Sequence, residues 1–551
     1  MKNHQSIITL KKIVLFSLLL LSTLSKAQEN FPKIDSLLNV YDKQGAPGVS
    51  VGVVKNGNLV YEKYTGFDDI SKHRHASKKS LYNIASDSKK FTAACVVLLS
   101  QQGKLNLDNK LSKYFPQFPA YASNITIKML LNHTSGIKDY LMLAVLKGSD
   151  EGAHTSADVL NWLAVQETNY EPGKGFSYSN SNYFLLIQIV EQTSGMSINK
   201  FAEKFIFKPL KMNDTQYSSR AEFKFKNKAI GYAVTETEFV PQPDTDKVIG
   251  GGGVYTTVRD LAKWLNEMKT QKLLGKAFWD TMLNNDRTKL SETIYYSKGY
   301  FIEKRKDGTE LFFHGGDLQG YHTDVAYLPA KDVGVIILSN SNDIKGSAFT
   351  DPLLQIVLRE PLTAKVPHIE TPITYFNLPF AELPKFTGMY AAGNQGMTIS
   401  TLGNSLCVLQ HWDRSSYLIK PIGENTFVVP GEEITFHFTD FTASKPGKMI
   451  IGQNGTQLAM SRITDHVIEP SFIEYFGTFY NKALDATYLI YEDAGFIKCK
   501  VPNNKEFIVA HEDKDVFTMD GMEVKYTRTD NKVSGFTLSH SRAKNFKFDK
   551  I

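Results

Sequence analysis

Apolar residues recur along this chain with two different periods, and the change of period divides it. Residues 48–54 are almost continuously apolar, Asn56-Gly57 follows, and Leu59-Val60-Tyr61 returns. Asn-Gly between apolar runs predicts a hairpin over residues 48–64. A second antiparallel set is predicted far downstream, where 299–306 turns at Asp307-Gly308 into Leu311-Phe312-Phe313. Segments 323–328 and 333–338 then flank Pro329-Ala330-Lys331-Asp332 as two more strands. Between these regions the period is that of a helix. Phe91, Ala94, Cys95, Leu98 and Leu99 form a buried stripe, and Gly103 closes it. Further helices are predicted near 156–165, 182–192, 198–207 and 257–268. The last opens with Thr257-Val258-Arg259-Asp260, a capping-box pattern with Asp in place of Glu. Strands, then helices, then strands imply an α+β fold: one antiparallel sheet flanked by helices, with an inserted helical subdomain.

The pattern changes again after residue 360. Pro361, Pro367, Pro372, Pro379 and Pro384 disfavour helix and predict a semi-rigid linker over 361–384. Beyond it, short apolar runs are broken by Gly403-Asn404, Gly423-Glu424-Asn425, Pro446-Gly447 and Asn454-Gly455. That punctuation predicts all-β, barrel-like structure. Phe386-Thr387-Gly388-Met389-Tyr390 resembles Tyr475-Phe476-Gly477-Thr478-Phe479, 89 residues further on. This weak repeat favours two small modules, 385–465 and 466–551, over one larger barrel.

The first residues read as a leader. Lys2, Lys11 and Lys12 precede an apolar run over 13–24, and Ser25-Lys26-Ala27 supplies a small-x-small cleavage site. About a dozen apolar residues fall short of the roughly 20 needed to cross a bilayer. A signal peptide over 1–27, cut after Ala27, and a periplasmic or secreted product are therefore expected. No later segment reads as a membrane span. Removing four lysines with the leader takes the formal charge from +6 to +2, which gives no reason to invoke nucleic acid or an anionic membrane. Three cysteines, Cys95, Cys407 and Cys499, make no disulfide framework. No His/Cys/Asp cluster has metal-ligand spacing, so no metal or other cofactor is expected. At 551 residues the chain is too long for one core, and a main domain is predicted over 28–360.

Candidate chemistry lies in three separated segments: Ser86-Asp87-Ser88-Lys89, Tyr178-Ser179-Asn180 and His314-Gly315-Gly316. A serine hydroxyl needs a base, and Lys89 at i+3 on a helix start stands on the same face. Ser-x-x-Lys alone is weak evidence, since Ser135, Ser197 and Ser541 also begin such tetrads. The buried stripe directly after Ser86 sets this one apart. A phenol at Tyr178 can share in proton transfer, and the Asn180 amide can hold a substrate carbonyl. The glycines after His314, at the end of a predicted strand, would let a substrate backbone lie close to the sheet edge.

These segments, with their neighbours, resemble the class C β-lactamase-like and penicillin-binding-protein-like serine hydrolases. The resemblance rests on 84–94, Leu130-Leu131-Asn132-His133-Thr134-Ser135-Gly136-Ile137, 176–181, Gly250-Gly251-Gly252-Gly253-Val254-Tyr255-Thr256-Thr257 and 314–321, in that order. It implies a helical subdomain beside an antiparallel sheet, with the site between them. It also implies that the trailing modules are lipocalin-like barrels of the kind found in D-aminopeptidase-like and esterase-like relatives. By resemblance Ser86 is the nucleophile, Lys89 its proton acceptor, Tyr178 an aid to leaving-group protonation and Asn180 a substrate-holding residue. The oxyanion would lie between the N–H groups of Ser86 and Asp317, beside His314 and Gly316. His314 stands where β-lactamases usually carry Lys-Thr-Gly, which favours a small-molecule or short-peptide substrate of the D-aminopeptidase, D,D-carboxypeptidase or esterase kind. The alternatives are a true β-lactamase and a catalytically inactive binding protein that uses the β modules. Asp87 departs from the usual apolar residue of the family and is unexplained at this level. The sequence leaves the oligomeric state open.

Overall fold

The computed structural model describes residues 31–551 except 43–44, 150–151, 153, 220–224, 235–238, 243–244, 342–346, 362–374, 393–394, 403–404, 411–415, 431–433, 454–455, 464–469 and 494–495. The expected signal peptide and most of the proline-rich linker lie outside the described residues. The chain forms two compact units, one of residues 1–137 with 151–368 and one of residues 138–150 with 369–551.

The first unit is built on an eight-stranded antiparallel sheet. Its strands are β1 (Val49–Lys55), β2 (Asn58–Tyr64), β3 (Thr288–Lys289), β4 (Ile294–Ser297), β5 (Tyr300–Lys304), β6 (Glu310–Leu318), β7 (Tyr321–Leu328) and β8 (Val333–Ser339), in the order β3-β4-β5-β6-β7-β8-β1-β2. The β1–β2 hairpin turns at Asn56 (φ 51°) and Gly57 (φ 73°), the two left-handed residues its sequence predicts. The helices that matter here are α1 (Phe31–Leu38), α2 (Lys89–Gln101), α3 (Tyr140–Leu146), α4 (Asn180–Ser194), α5 (Val258–Thr270) and α6 (Ser347–Leu358). One sheet face is covered by α1 and α6, whose Ile34, Leu38, Phe349 and Leu353 bury against Val49, Val51, Val53, Val335 and Ile337. The other face of β1 carries α5. Gly52 makes room there, since a Cβ would stand 2.4 Å from Val258 Cγ1.

Helix α2 is buried on more than the predicted stripe: Thr92, Ala93, Val96 and Val97 are enclosed as well. It packs among α4 and neighbouring helices, so its apolar residues are enclosed beyond a single stripe. The capping box at α5 is half formed. Thr257 accepts the Asp260 N–H, but the Asp260 carboxylate is taken by Asp214 N–H (2.8 Å) and Thr215 Oγ1–H (2.9 Å).

The second unit contains two closed eight-stranded barrels, spanning Gly388–Ala392 to Thr456–Ile463 and Gly477–Asn481 to Ala543–Lys550. Their interiors are filled by side chains, among them Phe386, Phe427 and Phe438 in the first and Phe479, Phe517 and Phe536 in the second. The weak sequence repeat has a physical basis. Gly388 (φ 146°) and Gly477 (φ 143°) open the first strand of each barrel. A cation from the last strand closes over each start: Arg462 over the Tyr390 ring at 5.7 Å, and Lys550 over the Phe479 ring at 5.6 Å.

The same unit holds α3. Tyr488 Oη–H donates to Leu146 O (2.8 Å), Asp139 N–H to Arg542 O (3.2 Å), and the Lys138 amine lies 4.0 Å from the Phe546 ring centroid. The main domain predicted over 28–360 takes in residues 140–146. Residues 140–146 instead form a helix that belongs with the second barrel, because Tyr140, Leu143, Ala144 and Leu146 need an apolar cover.

Candidate active site

The turn that carries Ser86 is a single 3₁₀ segment, Ala85–Ser88, joined directly to α2. Ala85 adopts φ 45°, an uncommon conformation for a residue with a side chain, and its N–H donates to Asn83 Oδ1 at 2.9 Å. Such a conformation persists only where the surroundings fix it. Here Val254 contributes twice: its carbonyl accepts the Ile84 N–H (3.0 Å) and its N–H donates to Ser88 Oγ (3.0 Å). Ser86 itself stays half-buried and reachable.

Lys89 is buried at 1% exposure and its amine meets three oxygens: Gly251 O at 2.7 Å, Asn180 Oδ1 at 2.9 Å and Ser86 Oγ at 3.1 Å. A tetrahedral amine that gives two protons to Gly251 and Asn180 has one direction left, and it points at Ser86. With the amine neutral, that direction is a lone pair able to take the hydroxyl proton; with the amine charged, it holds the proton received. The Tyr178 ring flanks the same nitrogen, 4.7 Å from centroid to Nζ. Four groups drawn from three remote segments thus surround one point, as the sequence requires of a site.

Gly251 is the member that sequence reasoning missed. A Cβ there would stand 1.8 Å from Asn180 Oδ1 and 2.8 Å from Lys89 Nζ, so the backbone can approach Lys89 only as glycine. His133 is the second omission. Its carbonyl accepts the Ser177 N–H (3.0 Å) and its Nδ1 accepts the Ser179 N–H (3.1 Å), bracketing Tyr178 from both sides. Its ring lies 4.4 Å from the Tyr178 ring. The only available signal for either was the likeness of the flanking motifs.

The His314-Gly315-Gly316 segment lies inside β6 rather than at its end. Pairing with β5 stops at Phe301↔Phe313, while pairing with β7 continues to Leu318↔Tyr321. Residues 314–318 therefore offer one edge without a strand partner among the described residues, which suits an extended substrate. Gly316 lets this edge lie against the nucleophile turn, since a Cβ would come within 2.2 Å of Ile84 O. Asp317 follows with its side chain on the opposite face, exposed and paired with His322 across the β6–β7 ladder.

His314 is buried, and its Nδ1 lies 2.5 Å from Gly315 O, which makes Nδ1 the protonated nitrogen. Nε2 is a buried acceptor with no hydrogen-bond partner among the described residues. Burial, with Lys89 nearby, pushes its pKa down to about 3. Between that value and the ordinary 6.5 the unfolded chain binds a proton that the folded one refuses. Stability contributed by His314 is thus present above pH 6.5 and lost as pH falls toward 3. Asp87 and Asp324 act in the opposite sense, because burial raises them to about 6 and about 7. The expected result is that His314→Asn loses less thermal stability than wild type between pH 7.5 and 4.5, measured by calorimetry. Parallel losses would mean that His314 takes up its proton within the fold.

Residues 29–358 match the family model described as Beta-lactamase. Protein flp of Staphylococcus aureus (strain NCTC 8325 / PS 47) is 30% identical over 332 residues, which is 56% of this chain and 63% of that protein. The chain thus spans under two thirds of that relative's length. Penicillin-binding protein 4* of Bacillus subtilis (strain 168) is 29% identical over 310 residues, covering 53% of this chain and 68% of that one. Among solved structures, an octameric penicillin-binding protein homologue from Pyrococcus abyssi aligns with a TM-score of 0.54 at 22% identity, over 87% of this chain and 99% of that chain. D-amino acid amidase from Ochrobactrum anthropi SV3, complexed with L-phenylalanine amide, aligns with a TM-score of 0.51 at 24% identity, over 60% and 98%. At these identities the two structures speak to the fold. Because the family match runs from before α1 to the end of α6 and encloses every residue gathered around Lys89, this chain belongs to the Beta-lactamase family of serine hydrolases.

Proposed function

We propose that this protein is an exported amidase or peptidase that forms an acyl-enzyme on Ser86, with D-amino-acid amides and short peptides as its first substrates and simple esters next. The observation that carries the reading is the Lys89 amine, whose two fixed acceptors leave one direction for the Ser86 hydroxyl at 3.1 Å. Ser86 Oγ attacks the substrate carbonyl as Lys89 takes its proton, and the N–H groups of Ser86 and Asp317 receive the oxyanion. Proton return past Tyr178 frees the leaving amine or alcohol, and water then cleaves the ester on Ser86.

His314 supports the choice of substrate. A neutral imidazole with a free acceptor nitrogen has no charge to draw a carboxylate, but it can accept an N–H from an amine or amide. That favours aminopeptidase, amidase and esterase chemistry over β-lactam hydrolysis. Export follows from the leader read over residues 1–27, and N-terminal sequencing of the mature protein should begin at Gln28.

Intact mass spectrometry tests the reading. A fluorophosphonate should add one adduct to wild type and none to Ser86→Ala. D-alanyl anilide and short-chain esters should turn over, while nitrocefin stays at background. Folded wild type that takes up no fluorophosphonate would sink the enzymatic reading. Rapid nitrocefin turnover would move the substrate to β-lactams.

A further inference from the structure

Beside the Ser86–Lys89 pair stands a second pair at the same spacing, one residue on. Asp87 and Lys90 are both fully buried, and their charged atoms meet at 2.5 Å. We propose that Asp87 and Lys90 act as one neutral strut that positions the nucleophile turn and shields Lys89 from a second buried charge. The inference rests on Ser86 being the nucleophile.

The geometry gives the pair few other duties. Apart from each other, neither Asp87 carboxylate oxygens nor the Lys90 amine have a hydrogen-bond partner among the described residues. Beyond Asp87, the Lys90 amine faces the Tyr300 ring at 5.1 Å, and the Tyr300 hydroxyl is taken by the Trp264 indole N–H at 2.8 Å. Nor can the backbone drift. A Cβ on Gly299 would stand 2.5 Å from Lys90 N, so the β4–β5 turn lies tight against the helix start. The Asp87 N–H closes the strained turn onto Ile84 O at 3.0 Å.

Electrostatics explains why an acid is needed at this position. Helix α2 opens with two buried lysines, the charge a helix N-terminus disfavours. Its N-cap residue, Ser88, makes no side-chain cap because its hydroxyl receives the Val254 N–H. Asp87 supplies the anion there and cancels Lys90, so that one amine charge rather than two is added beside the serine. The groups that sense the pair are Tyr300 on β5, His314 on β6 and Asp324 on β7. Removing one partner strands a buried charge, whereas removing both leaves a neutral, hydrogen-bonded pair.

The two single variants therefore err in opposite directions. Asp87→Asn leaves Lys90 bare, which disfavours a proton on Lys89 and moves the acid limb of kcat/KM to lower pH. Lys90→Gln leaves Asp87 without its cation, and above the pH at which the buried carboxyl ionises this anion moves that limb to higher pH and repels the forming oxyanion. Each should lower kcat by about 10- to 100-fold with KM nearly unchanged, the loss expected for a displaced reacting group. The double variant D87N/K90Q should regain most of the rate and the wild-type limb.

The experiment measures kcat, KM and their pH profiles for all four proteins, together with fluorophosphonate labelling of Ser86. Opposed shifts in the single variants with recovery in the double establish the strut. If a single variant does not fold, recovery in the double decides alone. Single variants that match wild type, or a double as impaired as the singles, overturn the inference. Failure of wild type to label would instead overturn the assignment of Ser86.

Discussion

Replacing Ser86 by alanine should lower turnover by about a millionfold, to background, while the protein keeps its fold. The two outcomes separate because of where Ser86 sits. Its hydroxyl is half-buried in a turn whose shape is held by Asn83, Val254 and Gly316, none of which bonds to that hydroxyl. Lys89 keeps Gly251 O and Asn180 Oδ1 as acceptors, so the amine stays in place with no serine to deprotonate. Lys89→Ala differs in a way that can be measured. It leaves Asn180 Oδ1 and Gly251 O without the donor they share, and a buried acceptor left bare costs about 1–3 kcal/mol. Both variants should be inactive and unlabelled by fluorophosphonate, but only Lys89→Ala should melt clearly below wild type. Substantial turnover by Ser86→Ala would remove the acyl-enzyme mechanism.

What the sequence discloses of this site follows from the kind of group each position contributes. Ser86, Lys89 and Asn180 act through side chains whose chemistry has few substitutes, so residue type and spacing give them away. Gly251 acts through a carbonyl that every residue possesses, and only the absent side chain marks it. His133 fixes the neighbours of Tyr178, a role that depends on the path of a loop. The fold shows the same division. The β1–β2 hairpin was legible because Asn56 and Gly57 must both take positive φ, and the barrels because turn residues recur between short apolar runs. The extension of β6 through His314-Gly315-Gly316 was not legible, since ladder pairing with β7 asks nothing of the side chains. Helix α3 was placed with the wrong neighbours for a related reason. Its apolar residues announce burial but cannot name the partner, which begins more than 300 residues later.

A single methyl group added at Gly251 should slow the enzyme on the order of 100-fold while the same methyl at Gly315 should not. Gly251 has no left-handed backbone angle, so alanine meets no conformational penalty there and the effect is purely one of space. Its Cβ would overlap Asn180 Oδ1 at 1.8 Å and crowd Lys89 Nζ at 2.8 Å. Either the amide or the amine must move, and movement of about 1 Å at a reacting group costs on the order of 100-fold in rate. Gly316→Ala should fall in the same class, because its Cβ would lie 2.2 Å from Ile84 O and lift β6 off the nucleophile turn. At Gly315 the nearest atom to a new Cβ is Thr323 O at 3.6 Å, an ordinary contact, and a change of about 0.5 kcal/mol or less is expected. Turnover of the best substrate and the rate of fluorophosphonate labelling rank the three variants, with circular dichroism to confirm that each is folded. A Gly251→Ala protein as active as wild type would show that Lys89 does not depend on this carbonyl for its aim, and the geometric account of the base would fail with it.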